Sequence, residues 1–507
     1  MNNLLTNSNT YDIVIVGAGL GGLLSAVILA KEGMKVCIIE KDKQIGGCLQ
    51  TFSVEKKVFD SCVHYIGGLG EGHTLNRIFS YAGIMGKLHL KEYNKDAFDK
   101  IAFGNDANEY PLAQGFENFT EQLSAYFPGE EKALKEYITT IKKVGDHFPL
   151  YRLRNGDPNE KAAVSGWELT ETLNKISDNT LLKNVLVGNN MLYAGIPGKT
   201  PFYLHALVTE SYIHSSHKVL PGSSQISKFL WHELQNLGAT IFRNTEITKL
   251  IEENGALSYA MAKNGERIYG KQFISNVHPG VLLSLIDSNL IRPAYRNRVL
   301  NLTQTISSFM LNLALKQGTV PMQHHNLYWN ATNDAWAAVN YRIKEWPANY
   351  TLFYTQDKNN PEFAESVSIL CYMHYSEVDQ WSNTHNRAGD EQERGAEYDA
   401  FKELKSELLL QKVYERLPVL KGNIIAKKVA TPLTYRDYTG TPEGSLYGIL
   451  KDVNKPNETT IATRTRIPNL LLTGQNVNIH GVLGVSITAV ATCSELLGMD
   501  YLLRKFD

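Results

Sequence analysis

Residues 13–22 read Ile13-Val14-Ile15-Val16-Gly17-Ala18-Gly19-Leu20-Gly21-Gly22, and an apolar run from Leu23 to Ala30 follows directly. Four β-branched residues predict a buried strand, the glycines a tight turn, and the apolar run a helix. A strand feeding a helix through such a turn aims the helix N-terminus, with its unpaired N–H groups and partial positive charge, at a pyrophosphate. Gly17 is placed to make the turn, Gly19 to let the backbone approach the phosphates, and Gly22 to let the helix lie close on the strand. Ala18 and Leu20 complete the turn. A second strand, Val36 to Ile39, ends in Glu40, placed to accept hydrogen bonds from a ribose, with Lys41 next to it. A lone Gly-x-Gly-x-x-Gly is weak evidence. Strand, turn, helix, strand and acid in register predict a dinucleotide site in an α/β fold.

The rest of the composition narrows the class. The chain has 507 residues, enough for two domains, with 43% hydrophobic and 20% charged residues. A formal net charge of -1 argues against a nucleic-acid partner. Five cysteines (Cys37, Cys48, Cys62, Cys371 and Cys493) are scattered without a Cys-x-x-Cys pair. That pattern disfavours a disulfide framework or a metal site and predicts a cytoplasmic protein. Met1 to Tyr11 lacks the basic and apolar regions of a signal peptide, and no apolar run reaches the length of about 18 residues that suggests a membrane span. Peripheral contact with a membrane stays open.

After Glu40 comes Gly46-Gly47-Cys48-Leu49-Gln50-Thr51-Phe52. A glycine pair here lets a second backbone segment approach the cofactor, which FAD needs more than NAD; an ordinary turn is the alternative. Phe59-Asp60 and His64-Tyr65-Ile66-Gly67 follow, and His64 is the candidate catalytic residue, either touching flavin or substrate or held as a structural histidine.

These motifs resemble the retinol saturase-like branch of the phytoene desaturase and carotenoid isomerase flavoproteins. Phytoene desaturases proper carry Gly-Gly-Arg at the glycine pair, and Cys48 stands here in the arginine position. The resemblance extends to Glu246-Ile247-Thr248-Lys249-Leu250, where the apolar residue, Ile247, meets the adenine through its backbone. It also covers Thr431 to Thr434 and Pro442 to Gly448. What it implies is a discontinuous Rossmann-like FAD-binding domain, with an inserted α+β substrate domain that contains an antiparallel sheet and a helical lid. On that basis the FAD domain takes residues 1–105, 216–290 and 426–507, the lid 106–215 and the substrate domain 291–425.

Periodicity fills in the remainder. Phe119, Leu123 and Phe127, then Leu134, Tyr137, Ile138 and Ile141, predict helices. They read as plain core or as an apolar lid for a lipid. His205, His214 and His217 form no convincing metal site. Ser307 to Leu315 alternates like a half-buried strand, and with Tyr350–Tyr354 and Ser366–Met373 predicts the sheet flooring a substrate cavity. Ser382 to Glu397 predicts a mobile polar loop, and Ala400, Phe401, Leu404 and Leu408 the buried face of an amphipathic helix. Asn469 to Thr473 predicts a strand ending at Gly474-Gln475, and Gly481 and Gly484 precede a helix from Val485 to Leu497. That helix's N-terminus would stabilise the negative charge of a reduced flavin.

The chemistry expected from the resemblance is redox work on the C–C or C=C bonds of a polyene such as a carotenoid or retinoid. Hydride would exchange at flavin N5, with no separate acid–base machinery evident in the sequence. A redox-neutral cis–trans isomerase, a flavin amine oxidase and a non-catalytic Rab GDP-dissociation-inhibitor-like protein are the alternatives.

Overall fold

In the computed structural model, which describes residues 10–157, 159–387 and 390–506, the strand Tyr11–Val16 lies inside a seven-stranded sheet. It pairs in parallel with Val36–Ile39 on one side and Arg267–Ser275 on the other; Thr240–Phe242 extends the first side and Leu470–Leu472 pairs with the second. Arg267–Ser275 changes partners along its length. Its first residues pair antiparallel with Ala256–Ala262, which pairs in turn with Ile247–Glu253. One sheet therefore gathers segments from the beginning, middle and end of the chain.

Two helices lie against each other beside this sheet, Leu20–Lys31 and Gly481–Leu497. Leu20–Lys31 is buried at every position but its last. A helix apolar all round is a core helix, so its sequence is a run rather than a stripe. The second helix starts one turn earlier than the apolar run implies, at Gly481, behind His480 as its N-cap residue. The glycines at 481 and 484 are thus its first turn.

A second seven-stranded sheet has the order Ile424–Ala430, Ser307–Leu315, Ala364–Met373, Asn349–Gln356, Asn326–Asn330, Asp99–Phe103, Tyr110–Leu112. All its pairings are antiparallel except Asn326–Asn330 with Asp99–Phe103. Ser307–Leu315 departs from expectation, being buried at all nine positions. The alternation predicted a wet face, but two of its three polar side chains find partners inside: Ser307 Oγ donates to the Gly444 carbonyl (2.6 Å), and Asn312 Oδ1 accepts from Ser368 Oγ (2.7 Å), while the buried Ser308 hydroxyl has no hydrogen-bond partner among the described residues.

The helix Ala396–Arg416 keeps half of its expected face against the core, Phe401 and Leu408 packing there partly buried, and turns further residues inward. Tyr398, Lys405, Ser406, Leu409, Leu410 and Val413 are buried, whereas Ala400 and Leu404 are exposed. A charge misleads the periodicity here. The Lys405 ammonium is buried in an ion pair with Glu377 and stands 4.4 Å from the Trp346 ring centroid. Nor is the stretch from Ser382 a simple loop: Asn386–Arg387 pairs with Asp390–Glu391, Asn386 N–H donates to Asp437 Oδ2 (2.8 Å), and Arg394 is buried against the same carboxylate. Residues 388 and 389 lie outside the described residues.

Five further helices, Phe116–Ser124, Glu131–Asp146, Leu169–Ile176, Thr180–Leu186 and Phe202–His214, add a helical region, in which Glu131–Asp146 packs on Phe202–His214 and Phe116–Ser124 on the strand Tyr110–Leu112. Their predicted stripes, Phe119/Leu123/Phe127 and Leu134/Tyr137/Ile138/Ile141, are buried. His205 is part of this packing, its ring bonded to the hydroxyls of Tyr137 (2.7 Å) and Tyr193 (3.1 Å). No helix among the described residues is long and apolar enough to cross a membrane.

Candidate functional site

Parallel strands leave their ligand site at their C-terminal ends, and the ends of Tyr11–Val16, Val36–Ile39, Arg267–Ser275 and Leu470–Leu472 meet around a cleft of about 540 Å³. Gly17, Gly19, Leu20, Glu40, Lys41, Gly46, Gly47, Cys48, Ile247, Gly474, Gln475 and Val485 line it, as does His64. Gly22 stands behind the wall, where a Cβ would come within 2.2 Å of the Gly17 carbonyl oxygen. Only glycine permits that approach of helix to turn. Ala18 is buried in the turn, and Gly484 packs against the Ile479 carbonyl, facing a neighbouring cavity.

The two glycine segments are stitched together by backbone. Gly46 N–H donates to the Ala18 carbonyl (2.8 Å), and Gly19 and Gly46 bridge in parallel. Glu40 closes the same corner, accepting from Ala18 N–H (2.9 Å) on one carboxylate oxygen and from Asp42 N–H (3.1 Å) on the other. Burial pushes its pKa up and those two N–H groups work against the rise. Each oxygen keeps a lone pair for a ligand hydroxyl.

Asn276 is the residue the sequence did not single out. Its Nδ2 donates to the Gly17 carbonyl (3.2 Å), and its side-chain amide lies where a Cβ on Gly19, Gly21 or Gly474 would point, at 2.9, 2.6 and 2.8 Å. One amide thus plugs the space that three glycines leave open. Its position just past the end of the Arg267–Ser275 strand was the available signal.

His64 stands between this cleft and a second cavity of about 120 Å³, and lines both. Its ring stacks on Phe353 (centroids 4.3 Å apart, 13° between planes). Burial, then the charge of Lys218, lowers its pKa to about 3, so the imidazole is neutral, and its Nε2 has no hydrogen-bond partner among the described residues. An orphaned buried nitrogen at a cavity wall is a group that a ligand can satisfy.

The second cavity is aromatic. Tyr328, Phe353 and Leu370 come from three neighbouring strands of the second sheet, Tyr65 from the loop before Ile66–Gly67, Tyr212 from the helix Phe202–His214 and Tyr447 from the C-terminal region. The two cavities share His64, Cys62, Tyr447, Gly481 and Val482 as wall residues. A larger cleft of about 1080 Å³ shares Tyr151 with the aromatic cavity, and none of the residues singled out from the sequence lines it. Size therefore does not pick out the glycine-lined cleft; backbone chemistry does.

Comparison with known proteins agrees with this geometry. A model of the NAD(P)-binding Rossmann-like domain matches residues 15–82. The chain is 25% identical to an all-trans-retinol 13,14-reductase of Danio rerio, covering 96% of this chain and 86% of that one. It is 22% identical to prolycopene isomerase 1 of an Oncidium hybrid cultivar, covering 98% and 85%. The fold is shared with an oxidoreductase from Methanosarcina mazei at a TM-score of 0.64 and 15% identity, covering 94% of this chain and 99% of that one.

Proposed function

We propose that this chain, an oxidoreductase similar over nearly its whole length to the retinol saturase-like branch of the phytoene desaturase and carotenoid isomerase proteins, binds FAD in the glycine-lined cleft and acts on the C–C or C=C bonds of a polyene in the aromatic cavity. The observation that carries the reading is the shared wall: the cleft with a phosphate-binding turn and the cavity lined mainly by aromatic and aliphatic side chains meet at His64, Gly481 and Val482.

Bound FAD would supply hydride exchange with a substrate carbon. The residues of the chain do the rest. Gly17, Gly19 and the first turn of Leu20–Lys31 hold the pyrophosphate by backbone N–H groups, and Glu40 holds the adenosine ribose. Gly474, Gln475 and the start of Gly481–Leu497 face the redox-active ring, where the helix dipole favours negative charge. The neutral His64, free at Nε2, offers a hydrogen bond at the junction. Tyr65, Tyr212, Tyr328 and Phe353 exclude water and hold an apolar chain in place.

Two measurements test this. The purified protein is expected to carry bound flavin, absorbing near 450 nm and bleaching on reduction by dithionite; a colourless protein that fails to take up added FAD overturns the reading. Anaerobic incubation of the oxidised and of the dithionite-reduced protein with all-trans-retinol, lycopene and β-carotene, followed by mass spectrometry, is expected to give a product whose mass has changed by two hydrogens, lost to oxidised flavin or gained from reduced flavin. A product of unchanged mass assigns isomerisation instead.

A further inference from the structure

Behind the tyrosines of the aromatic cavity lies a carboxyl group that the reading above leaves unused. Asp99, the first residue of Asp99–Phe103, is fully buried and does not line the cavity. Its Oδ2 accepts from Tyr65 Oη (2.8 Å) and Asn189 Nδ2 (3.1 Å), and its Oδ1 from Asn326 Nδ2 (2.9 Å). Tyr65 Oη is in turn 2.7 Å from Tyr328 Oη. Both tyrosines line the cavity wall. The three groups form a continuous chain, Asp99–Tyr65–Tyr328, running from a dry interior carboxyl to the surface a substrate would touch.

Building on the function proposed above, we propose that this chain of groups is the proton relay for polyene reduction, with Tyr328 as the proton donor to carbon and Tyr65 and Asp99 as positioning residues that recharge it. Reducing a C=C bond takes a hydride at one carbon and a proton at the other. With Asp99 neutral, its O–H donates to Tyr65, Tyr65 donates to Tyr328, and the Tyr328 O–H is left to point into the cavity. As a C–H bond forms at the substrate, the Tyr328 O–H breaks; Tyr328 takes the Tyr65 proton and Tyr65 the Asp99 proton. The Asp99 carboxylate remains, accepting from Tyr65, and regains its proton back along Tyr328 and Tyr65 from water that enters the cavity once product has left. The electron pair arrives with the hydride from reduced flavin, so charge and atoms balance.

The surroundings suit this use. A carboxylate kept only as a structural acceptor is normally paired with a cation when buried. Here every neighbour is neutral: Asn189, Asn326 and Tyr65 as bonded groups, Tyr328 beyond Tyr65, and the phenols of Tyr93 and Tyr212, whose pKa values are raised first by burial and then by neighbouring charge, that of Asp99 included. The buried Lys218 ammonium is held elsewhere, by Asp60 (3.8 Å) and the His64 carbonyl (3.3 Å). Burial accordingly lifts the Asp99 pKa to about 7, against the pull of its three donors. A group that both holds and releases a proton at neutral pH is what a relay source requires.

The test uses dithionite-reduced, flavin-loaded protein mixed anaerobically with all-trans-retinol in single turnovers from pH 5.5 to 9. The wild-type rate is expected to fall as pH rises through about 7, where Asp99 ionises. Asp99→Asn is expected to be about tenfold slower with that limb gone, and Tyr328→Phe about 100-fold slower, the range of lost general-acid catalysis. Flavin absorbance per mole of protein reports folding of each variant. Infrared difference spectra of the protein without substrate supply an independent readout: a buried carboxyl stretch that disappears near pH 7 and is missing in Asp99→Asn. Variants that retain flavin, turn over at the wild-type rate and keep the pH limb overturn the relay, as does the absence of the titrating carboxyl band. If wild type yields no reduced product while that band is present, the polyene reading itself has failed and the relay falls with it.

Discussion

The glycine-lined cleft and the aromatic cavity share a wall, yet they are built on opposite plans. The phosphate-facing corner of the cleft comes from one contiguous stretch, in which strand, turn and helix follow one another over Ile13 to Ala30, with Glu40 shortly after, although the rest of its wall is gathered from segments as distant as Val485. The cavity is an assembly of single side chains from remote segments: Tyr65 and Tyr328, which share a hydrogen bond, lie 263 positions apart. A cleft of backbone groups is specified by glycine, because close approach forbids side chains. A cavity of side chains is specified by whatever the fold brings together.

The sharpest way to break that contrast is to add one atom group to the cleft. Gly22→Val places a branched Cβ against the Gly17 carbonyl, a backbone atom with no freedom to move aside. We expect loss of flavin retention altogether, read as the absorbance at 450 nm per mole of soluble protein. Wild-type flavin content in this variant would show that the turn does not need its tight packing.

The next largest effect should appear far from the cleft, as stability. Lys405 and Glu377 are a buried pair, with side chains 8% and 2% exposed. Lys405→Met leaves the carboxylate uncompensated, a loss of about 3–5 kcal/mol. Thermal unfolding is expected at a clearly lower temperature, while the flavin spectrum of the folded fraction stays unchanged. The double change Lys405→Met with Glu377→Leu should recover most of the loss.

At the junction of the two regions the effect should be on turnover alone. His64→Phe keeps the stack on Phe353 and removes Nε2. We expect normal flavin content and a drop of about tenfold in product formation, consistent with one lost hydrogen bond of about 1.4 kcal/mol. Because the wild-type imidazole stays neutral down to about pH 3, His64 should contribute no titration to the activity profile between pH 5 and 9. Unchanged turnover in His64→Phe would make the residue a packing element.

The same contrast explains what could be read in advance. The strands at Ile13–Val16 and Val36–Ile39, the glycine turn, Glu40 and the Gly46-Gly47 pair were legible because each depends on neighbours a few residues away. Asn276 was missed although it touches three of those glycines, since its role exists only once Arg267–Ser275 lies parallel to Tyr11–Val16. Asp99 was missed for a stronger reason. In Asn94-Lys95-Asp96-Ala97-Phe98-Asp99-Lys100 it looks like one more solvated charge, and it is buried only once its strand is paired on both sides, with Asn326–Asn330 and Tyr110–Leu112, and covered by Tyr65 and Asn189. Ser307–Leu315 shows the reverse error, where polar residues suggested water and most found partners inside instead.

The smallest expected effect tests a face of a helix. Read from apolar spacing, Leu404 belongs to the buried side of Ala396–Arg416; in the fold it is 55% exposed, and Leu409, five residues on, is fully buried. The Lys405–Glu377 pair is expected to set this rotation, because an ion pair inside the protein costs more to break than a leucine costs to expose. Leu404→Gln should therefore shift unfolding stability by no more than about 0.5 kcal/mol, whereas Leu409→Ala should lose about 2–5 kcal/mol. Denaturant titrations of the two variants separate the alternatives. Equal losses would mean that the helix presents its apolar stripe to the sheet after all, and that the buried lysine does not set its rotation.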